Sequence, residues 1–341
     1  MSPLLVLLLA ATPAVQRTEL VTRSVDGVRL AIREVRPARL QPGVDPIILL
    51  HGARVPGIGS FDLRMPGGSL AQDLAERLGT RVYVPDVRGY GRSERPAAMD
   101  RPAAESRPLS RSYEVVRDVD AIARQVLART GARQVTLLGW ATGGLWAGHY
   151  AALWPERVGH LVLLNSLYGG SPVHPMVGPG SSIADPKHPD RLSPELGGYA
   201  RADAASLLRP WDRALGPDPT ARRDPAVAEA YAREALASDP EAGAASPPSM
   251  RAPLGALEDS FVQASGRRLY DASAITASVL FVRGANDFWS RPEDVQAFVH
   301  DATRARTVRV LEIPGASHFL HLERPEAGRA RFLDGVAEAL R

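Results

Sequence analysis

The sequence predicts the α/β class: a mostly parallel sheet flanked by helices and interrupted by one long helical insertion. Three observations carry this. Short continuous apolar runs such as residues 46–50 and 158–165 have the makeup of strands buried on both faces. Segments with helical spacing alternate with them over short connections, both early and late in the chain. Between Ser166 and Asp271 the alternation is lost, in a stretch rich in Pro, Gly, Ala and Arg that is too long for a loop inside a compact domain.

Taken in order, residues 18–24 and 28–35 alternate apolar and polar around Asp26-Gly27, the signature of a hairpin. Residues 46–50 then form a buried central strand that runs into His51-Gly52. Residues 69–78 have helical spacing and stop at Gly79. A strand over 81–85 leads into Asp86-Val87-Arg88-Gly89-Tyr90-Gly91-Arg92-Ser93. Ser112 is placed to cap a helix over 113–130, where Val116, Val119, Ile122, Ala123, Val126 and Leu127 make one apolar stripe that ends at Gly131. After the insertion, which includes a helical segment over 224–237, strands are expected at 278–282 and 307–313. Helices follow at 292–300 and 325–340. The expected organisation is therefore a core over 15–165 and 272–341 with a helical cap over 166–271.

With 341 residues, 45% of them hydrophobic, the chain has ample material for such a core. The net charge of +3 is slight, and arginine supplies nearly all the positive charge, Lys187 being the single lysine. The arginines are scattered among acids and form no patch, which argues against a nucleic-acid partner. There is no cysteine, so disulfides, a thiolate nucleophile and thiolate metal sites are excluded. No His/Asp/Glu set has metal-ligand spacing and no G-x-G-x-x-G opens a helix, so no metal or cofactor is expected. Residues 1–14 are an apolar run too short to span a bilayer. They resemble the central region of an export signal cleaved after Ala14, without the usual basic start, so a periplasmic or secreted protein is expected, with a cytoplasmic one as the alternative. The sequence is silent on oligomeric state.

The most informative stretch is 135–148. An apolar run ends at Gly139, makes an apex at Ala141 and passes through Thr142-Gly143-Gly144 into a helix of small residues. This is the layout of the strand–turn–helix elbow G-x-S-x-G, which lifts a nucleophile above a sheet. Here the apex is alanine, and a methyl group cannot attack a carbonyl. Thr142 is a poor substitute. It stands where the helix starts, and a one-residue shift of the motif would put Trp140 where the turn needs a small residue.

With these pieces in sequence, the chain resembles the α/β-hydrolase-fold proteins along nearly its whole length outside the insertion. The resemblance rests on His51-Gly52 after a buried strand, Asp86-x-Arg88-Gly89-x-Gly91-x-Ser93, the elbow, and a late Asp followed by a later His. It implies an acid at Asp287, within Gly284-Ala285-Asn286-Asp287, and a general base at His318, within Ile313-Pro314-Gly315-Ala316-Ser317-His318. His321 is expected to be structural, as are His51, Asp86 and Arg88. His174 and His188 are expected to be polar surface. The oxyanion hole is expected from the backbone N–H groups of Ala53 and Thr142. Trp140, Tyr168, Phe288, Trp289 and Phe319 are candidates to line an apolar substrate pocket.

The implied function is a serine hydrolase that acts on a small apolar ester, lactone or related acyl bond, disarmed in this chain by alanine in place of serine at position 141. Relatives that use aspartate at the apex, the dehalogenases and epoxide hydrolases, fit less well. Two alternatives remain open: a base enzyme that needs no nucleophile (a lyase or cofactor-free oxygenase), and a binding protein without turnover.

Overall fold

The structure is a computed structural model that describes residues 15–341; the expected export signal at 1–14 lies outside the described residues. The chain opens with β1 (Val15–Arg23) and β2 (Arg29–Pro37), an antiparallel hairpin in which Arg23 faces Arg29 across the Asp26-Gly27 turn. Gly27 has a φ of +87°, which explains the glycine at that corner. Next come β3 (Ile47–Leu50), α1 (Gly57–Phe61), α2 (Leu70–Leu78) and β4 (Val82–Pro85). The Ser69 hydroxyl caps α2 by accepting from Gln72 N at 2.9 Å, and Gly79 ends it in the left-handed region.

Helix α3 (Ser112–Thr130) starts one residue earlier than the sequence predicts, with Arg111 at the cap position. The Glu114 carboxylate receives the Arg111 N–H at 3.0 Å, and the Ser112 hydroxyl pairs with His149 instead of capping. Then follow β5 (Val135–Trp140), α4 (Thr142–Leu153) and β6 (Val158–Leu164). After β6 the chain makes its long excursion. This holds β7 (Tyr199–Asp203), α5 (Ala204–Leu215), α6 (Pro225–Ala237), β8 (Ser249–Pro253) and α7 (Gly255–Ala264). The antiparallel β7–β8 ribbon was not legible in the sequence, and it makes the insertion mixed in character. Finally β9 (Ser278–Gly284), α8 (Pro292–Asp301), β10 (Thr307–Ile313) and α9 (Arg329–Ala339) complete the core. The closing helix begins at Arg329, later than the sequence predicts, because Gly328 at φ +122° separates it from a short turn at Pro325–Ala327.

Eight strands form one sheet in the order β1-β2-β4-β3-β5-β6-β9-β10, parallel from β4 onward. Every residue of β3, β4 and β5 is buried, which accounts for their apolar sequences, Thr136 being the one polar residue among them. Each buried Leu, Ile or Val there contributes roughly 1.5–3 kcal/mol by leaving water. The chain moves from β3 outward to β4 and then crosses back to β5, so β3 and β5 meet at a topological switch point. The carboxyl ends of strands around such a point bound a crevice. His51-Gly52 and Ala141 leave β3 and β5 there. No helix among the described residues is long and apolar enough to cross a membrane.

Candidate active site

Ala141 sits between β5 and α4 with φ 53° and ψ −117°, a conformation that costs an L-residue roughly 1–3 kcal/mol. The surrounding turn enforces it. Ala141 N donates to Leu164 O at 2.9 Å, and Ala141 O accepts from Gly144 N at 3.0 Å. A Cβ at Gly139 would overlap the Gly143 carbonyl, and one at Gly143 would overlap the Leu50 carbonyl. The glycines are therefore steric requirements of an elbow packed against β3.

His318 follows β10, and Asp287 follows β9. The His318 Nδ1 lies 2.7 Å from Asp287 Oδ1, with both side chains buried. Trp289 N and Ser290 N also donate to the Asp287 carboxylate, at 3.0 and 2.8 Å. A carboxylate acceptor selects the Nδ1–H tautomer, which leaves Nε2 as the lone-pair nitrogen of His318. Nε2 makes no hydrogen bond to the protein among the described residues, and His318 lines the cavity.

Two residues that sequence reasoning did not single out hold this pair. The Asn165 amide donates to the carbonyls of Ser317 and His318 at 3.2 and 3.1 Å and accepts from Gly284 N at 2.8 Å. It thereby ties the acid loop to the histidine loop. Its φ of 50° is tolerated better by asparagine than by most side chains, and an Asn ending a buried strand was the available signal. Ser317 supports the same loop through hydrogen bonds to Glu323 and to Phe319 N. Trp140 adds a further tie, its indole N–H donating to His318 O at 2.9 Å.

His51 is fully buried. Val87 N donates to its Nε2 at 3.4 Å, so Nδ1 carries the proton and donates to Gly52 O at 2.7 Å. That bond fixes the plane of the Gly52–Ala53 peptide, and with it the direction of the Ala53 N–H. Burial pulls the His51 imidazole down to about 4, which keeps it neutral. Neither Ala53 N nor Thr142 N has a protein acceptor among the described residues. The Thr142 N–H opens α4, where the helix dipole favours negative charge. The Thr142 hydroxyl is buried without a hydrogen-bond partner among the described residues and makes no bond to His318.

A cavity of about 160 Å³ lies over Ala141. Of the expected lining residues, Trp140, Phe288, Trp289 and Phe319 border it together with Ala53, Ala141, Thr142 and His318. Tyr168 does not. It is buried among Tyr270 and Phe298 with its hydroxyl on Asp301, so its aromatic bulk serves core packing. Sequence reasoning missed the insert's contributions, Met176, Leu207, Pro210 and Tyr231, as well as Arg54 and Val55.

His321 is buried under the Trp140 ring, centroids 4.5 Å apart, and neither ring nitrogen makes a well-formed hydrogen bond among the described residues. Burial, followed by the proximity of His318, holds its basicity well below the ordinary histidine value. Asp86 receives N–H bonds from Gly57 and Arg92, and Arg88 pairs with Asp118 and Asp26. His174 is buried, contrary to the expectation of polar surface, because its Nε2 bonds the Trp289 carbonyl at 3.0 Å. No group of three or more potential metal ligands occurs among the described residues.

A mostly parallel sheet with an antiparallel leading hairpin, and a positive-φ elbow at its switch point, defines the class as a hydrolase-type α/β scaffold. The chain belongs to the alpha/beta hydrolase fold family, whose sequence profile matches residues 45–325. A human (lyso)-N-acylphosphatidylethanolamine lipase is 27% identical over 173 residues, which are 50% of this chain and 43% of the lipase. A triacylglycerol lipase of Pseudarthrobacter phenanthrenivorans is 27% identical over 126 residues, 37% of this chain and 34% of that enzyme. The chain thus spans less than half the length of these two relatives. The structure of an esterase from Rhodococcus sp. ECU1013 superposes with a TM-score of 0.55 at 19% identity, covering 94% of this chain and 98% of that one. That likeness is one of fold.

Proposed function

We propose that the cavity receives a small carboxylic ester, lactone or related acyl compound. Its carbonyl carbon lies over Ala141 and its carbonyl oxygen faces the N–H groups of Ala53 and Thr142. The observation that carries this is the buried pair of His318 and Asp287, 2.7 Å apart, beside a strained elbow in an apolar cavity. Lipase relatives support the acyl substrate class.

In this reading the apparatus is that of a Ser-His-Asp hydrolase, with alanine standing where serine is required. With Ala141→Ser, the introduced Oγ attacks the carbonyl and its proton passes to His318 Nε2. Asp287 stabilises the resulting imidazolium. The two backbone N–H groups hold the oxyanion, a contribution of roughly 3–4 kcal/mol per donor in comparable enzymes. His318 then returns the proton to the departing alkoxide, and water releases the acyl group. The donors and the His–Asp pair do not depend on residue 141, so the chain as it stands binds substrate without turning it over.

A second reading starts from the same histidine. With Nε2 free at the cavity and no nucleophile at the apex, His318 is placed to remove a proton from a carbon acid, as in a lyase or cofactor-free oxygenase. Turnover of a panel of short-chain aryl esters and lactones by the chain and by its Ala141→Ser variant separates the two. The first reading expects hydrolysis from the serine variant alone. Activity in the alanine chain that His318→Ala abolishes would instead establish the second. Tight binding without turnover by either chain would mark a binding protein.

A further inference from the structure

The cavity is apolar with one exception in charge. Among its lining residues Arg54 is the single guanidinium, and none is a carboxylate. Arg54 directly follows Ala53, so the oxyanion loop also carries this side chain. Arg54 is exposed at the cavity rim, forms no ion pair among the described residues, and donates to the Ser206 carbonyl in the first turn of α5 at 3.2 Å. Its charged neighbours are Arg209, likewise without an ion pair, and Asp203. The Asp203 carboxylate already caps α5 through Ser206 N at 2.7 Å. Two guanidiniums against one carboxylate leave this rim with one net positive charge.

Tyr231 faces the same space from α6. It is 3% exposed and lines the cavity that Arg54 also borders, and its hydroxyl has no hydrogen bond to the protein among the described residues. A buried phenol usually finds a partner. An arginine without an ion pair and a tyrosine hydroxyl without a hydrogen bond among the described residues, the first just after β3 and the second on α6, thus line the same otherwise apolar pocket. An Arg fork with an added O–H donor matches a carboxylate.

We propose that Arg54 and Tyr231 form a subsite for a carboxylate borne by the substrate itself. The preferred substrates are then small esters with an anionic end, such as half-esters of short dicarboxylic acids. This rests on the acyl-substrate reading above and adds the charge of the substrate to it. Arg54 sets specificity and takes no part in bond breaking.

The test measures binding to the chain as it stands, by calorimetry, with monomethyl glutarate and with the neutral analogue in which its free carboxyl is a primary amide. The half-ester should bind roughly three- to fivefold more tightly than the amide, the upper scale of an ion pair at a solvent-exposed rim. Arg54→Leu should remove this preference while amide affinity stays within about twofold, and Arg54→Lys should retain part of it. Added salt should shrink the preference in the parent chain. Tyr231→Phe should weaken the half-ester by a few-fold and leave the amide unchanged. Equal affinities in the parent, or a preference that survives Arg54→Leu, would overturn the subsite. Tighter binding of the matching phosphonate ester would overturn its assignment to a carboxylate. If neither ester binds, the subsite fails, and hydrolysis of neutral 4-nitrophenyl butanoate by the Ala141→Ser variant decides the wider question. Activity there keeps the ester reading alive; inactivity sinks both.

Discussion

The sheet side and the insert side of the cavity are held by different means. On the sheet side, Ala141, Asp287 and His318 follow three strands of one parallel array; backbone hydrogen bonds and glycine contacts set the elbow, and the Asn165 and Trp140 side chains hold the His318 carbonyl. On the insert side, Leu207 and Pro210 come from α5, Tyr231 from α6 and Met176 from an irregular segment. They are joined mainly by ring packing such as Trp211 against Tyr231 and Phe319. In the proposed reaction, geometry is thus written into topology, whereas substrate shape is written into side chains. Changes on the first side should affect kcat or folding, and changes on the second should affect KM.

The largest contrast is expected at His318. In the Ala141→Ser background, His318→Ala should lower kcat on a simple aryl ester by on the order of 10⁴-fold or more, with KM changed little, since members of such a unit fail together. Steady-state kinetics reads this directly, and a KM effect alone would place His318 among the binding residues. Next in size, Gly143→Ala drives a methyl group into the Leu50 carbonyl. A cost of roughly 3 kcal/mol, seen in denaturant unfolding, is expected because backbone on both sides cannot yield.

Stability should also depend on pH through His51. Its imidazole is held at about 4 in the folded chain against an ordinary 6.5, so the unfolded chain takes up that proton first. The stability associated with the neutral, buried ring is complete above pH 6.5 and is lost as the pH falls through the window to about 4, by up to roughly 3 kcal/mol. Asp86 titrates the other way, since burial raises its carboxyl to about 6 and the folded chain holds that proton more tightly. The measurement is therefore the difference in unfolding free energy between the parent and His51→Gln across this range, in which the Asp86 contribution cancels. A flat difference would mean that His51 is not held neutral. The smallest effect is expected at Met176, which is 40% exposed at the cavity rim. Met176→Ala should change KM several-fold for bulky esters, while its unfolding free energy stays within about 0.5 kcal/mol.

The same division explains what the sequence disclosed. The elbow was legible because Gly139 and Gly143 have no sterically tolerable replacements. The pairing of Asp287 with His318 was legible because one follows the buried β9 and the other the final strand β10, in a fixed order along the chain. The β7–β8 ribbon was not, since its two segments lie far apart in sequence and Tyr199–Asp203 is short and half exposed. Tyr168 was misplaced because an aromatic residue after a strand reads the same whether it turns toward the cavity or toward Phe298. Asn165 escaped notice because its role lies in bonds to loops 119 and 152–153 residues away. Arg54 looked like one more scattered arginine until the structure showed which cavity it borders.

We propose that everything needed for covalent acyl transfer is in place except the nucleophile at position 141. The direct measurement is labelling by a fluorophosphonate ester, followed by peptide mapping, on the chain, on Ala141→Ser, and on Ala141→Ser with His318→Ala. The account predicts no label on the chain, prompt label mapped to residue 141 in the single variant, and labelling slowed by orders of magnitude in the double variant. A serine variant that takes no label while remaining folded, or label on the unmodified chain at Thr142, would contradict it.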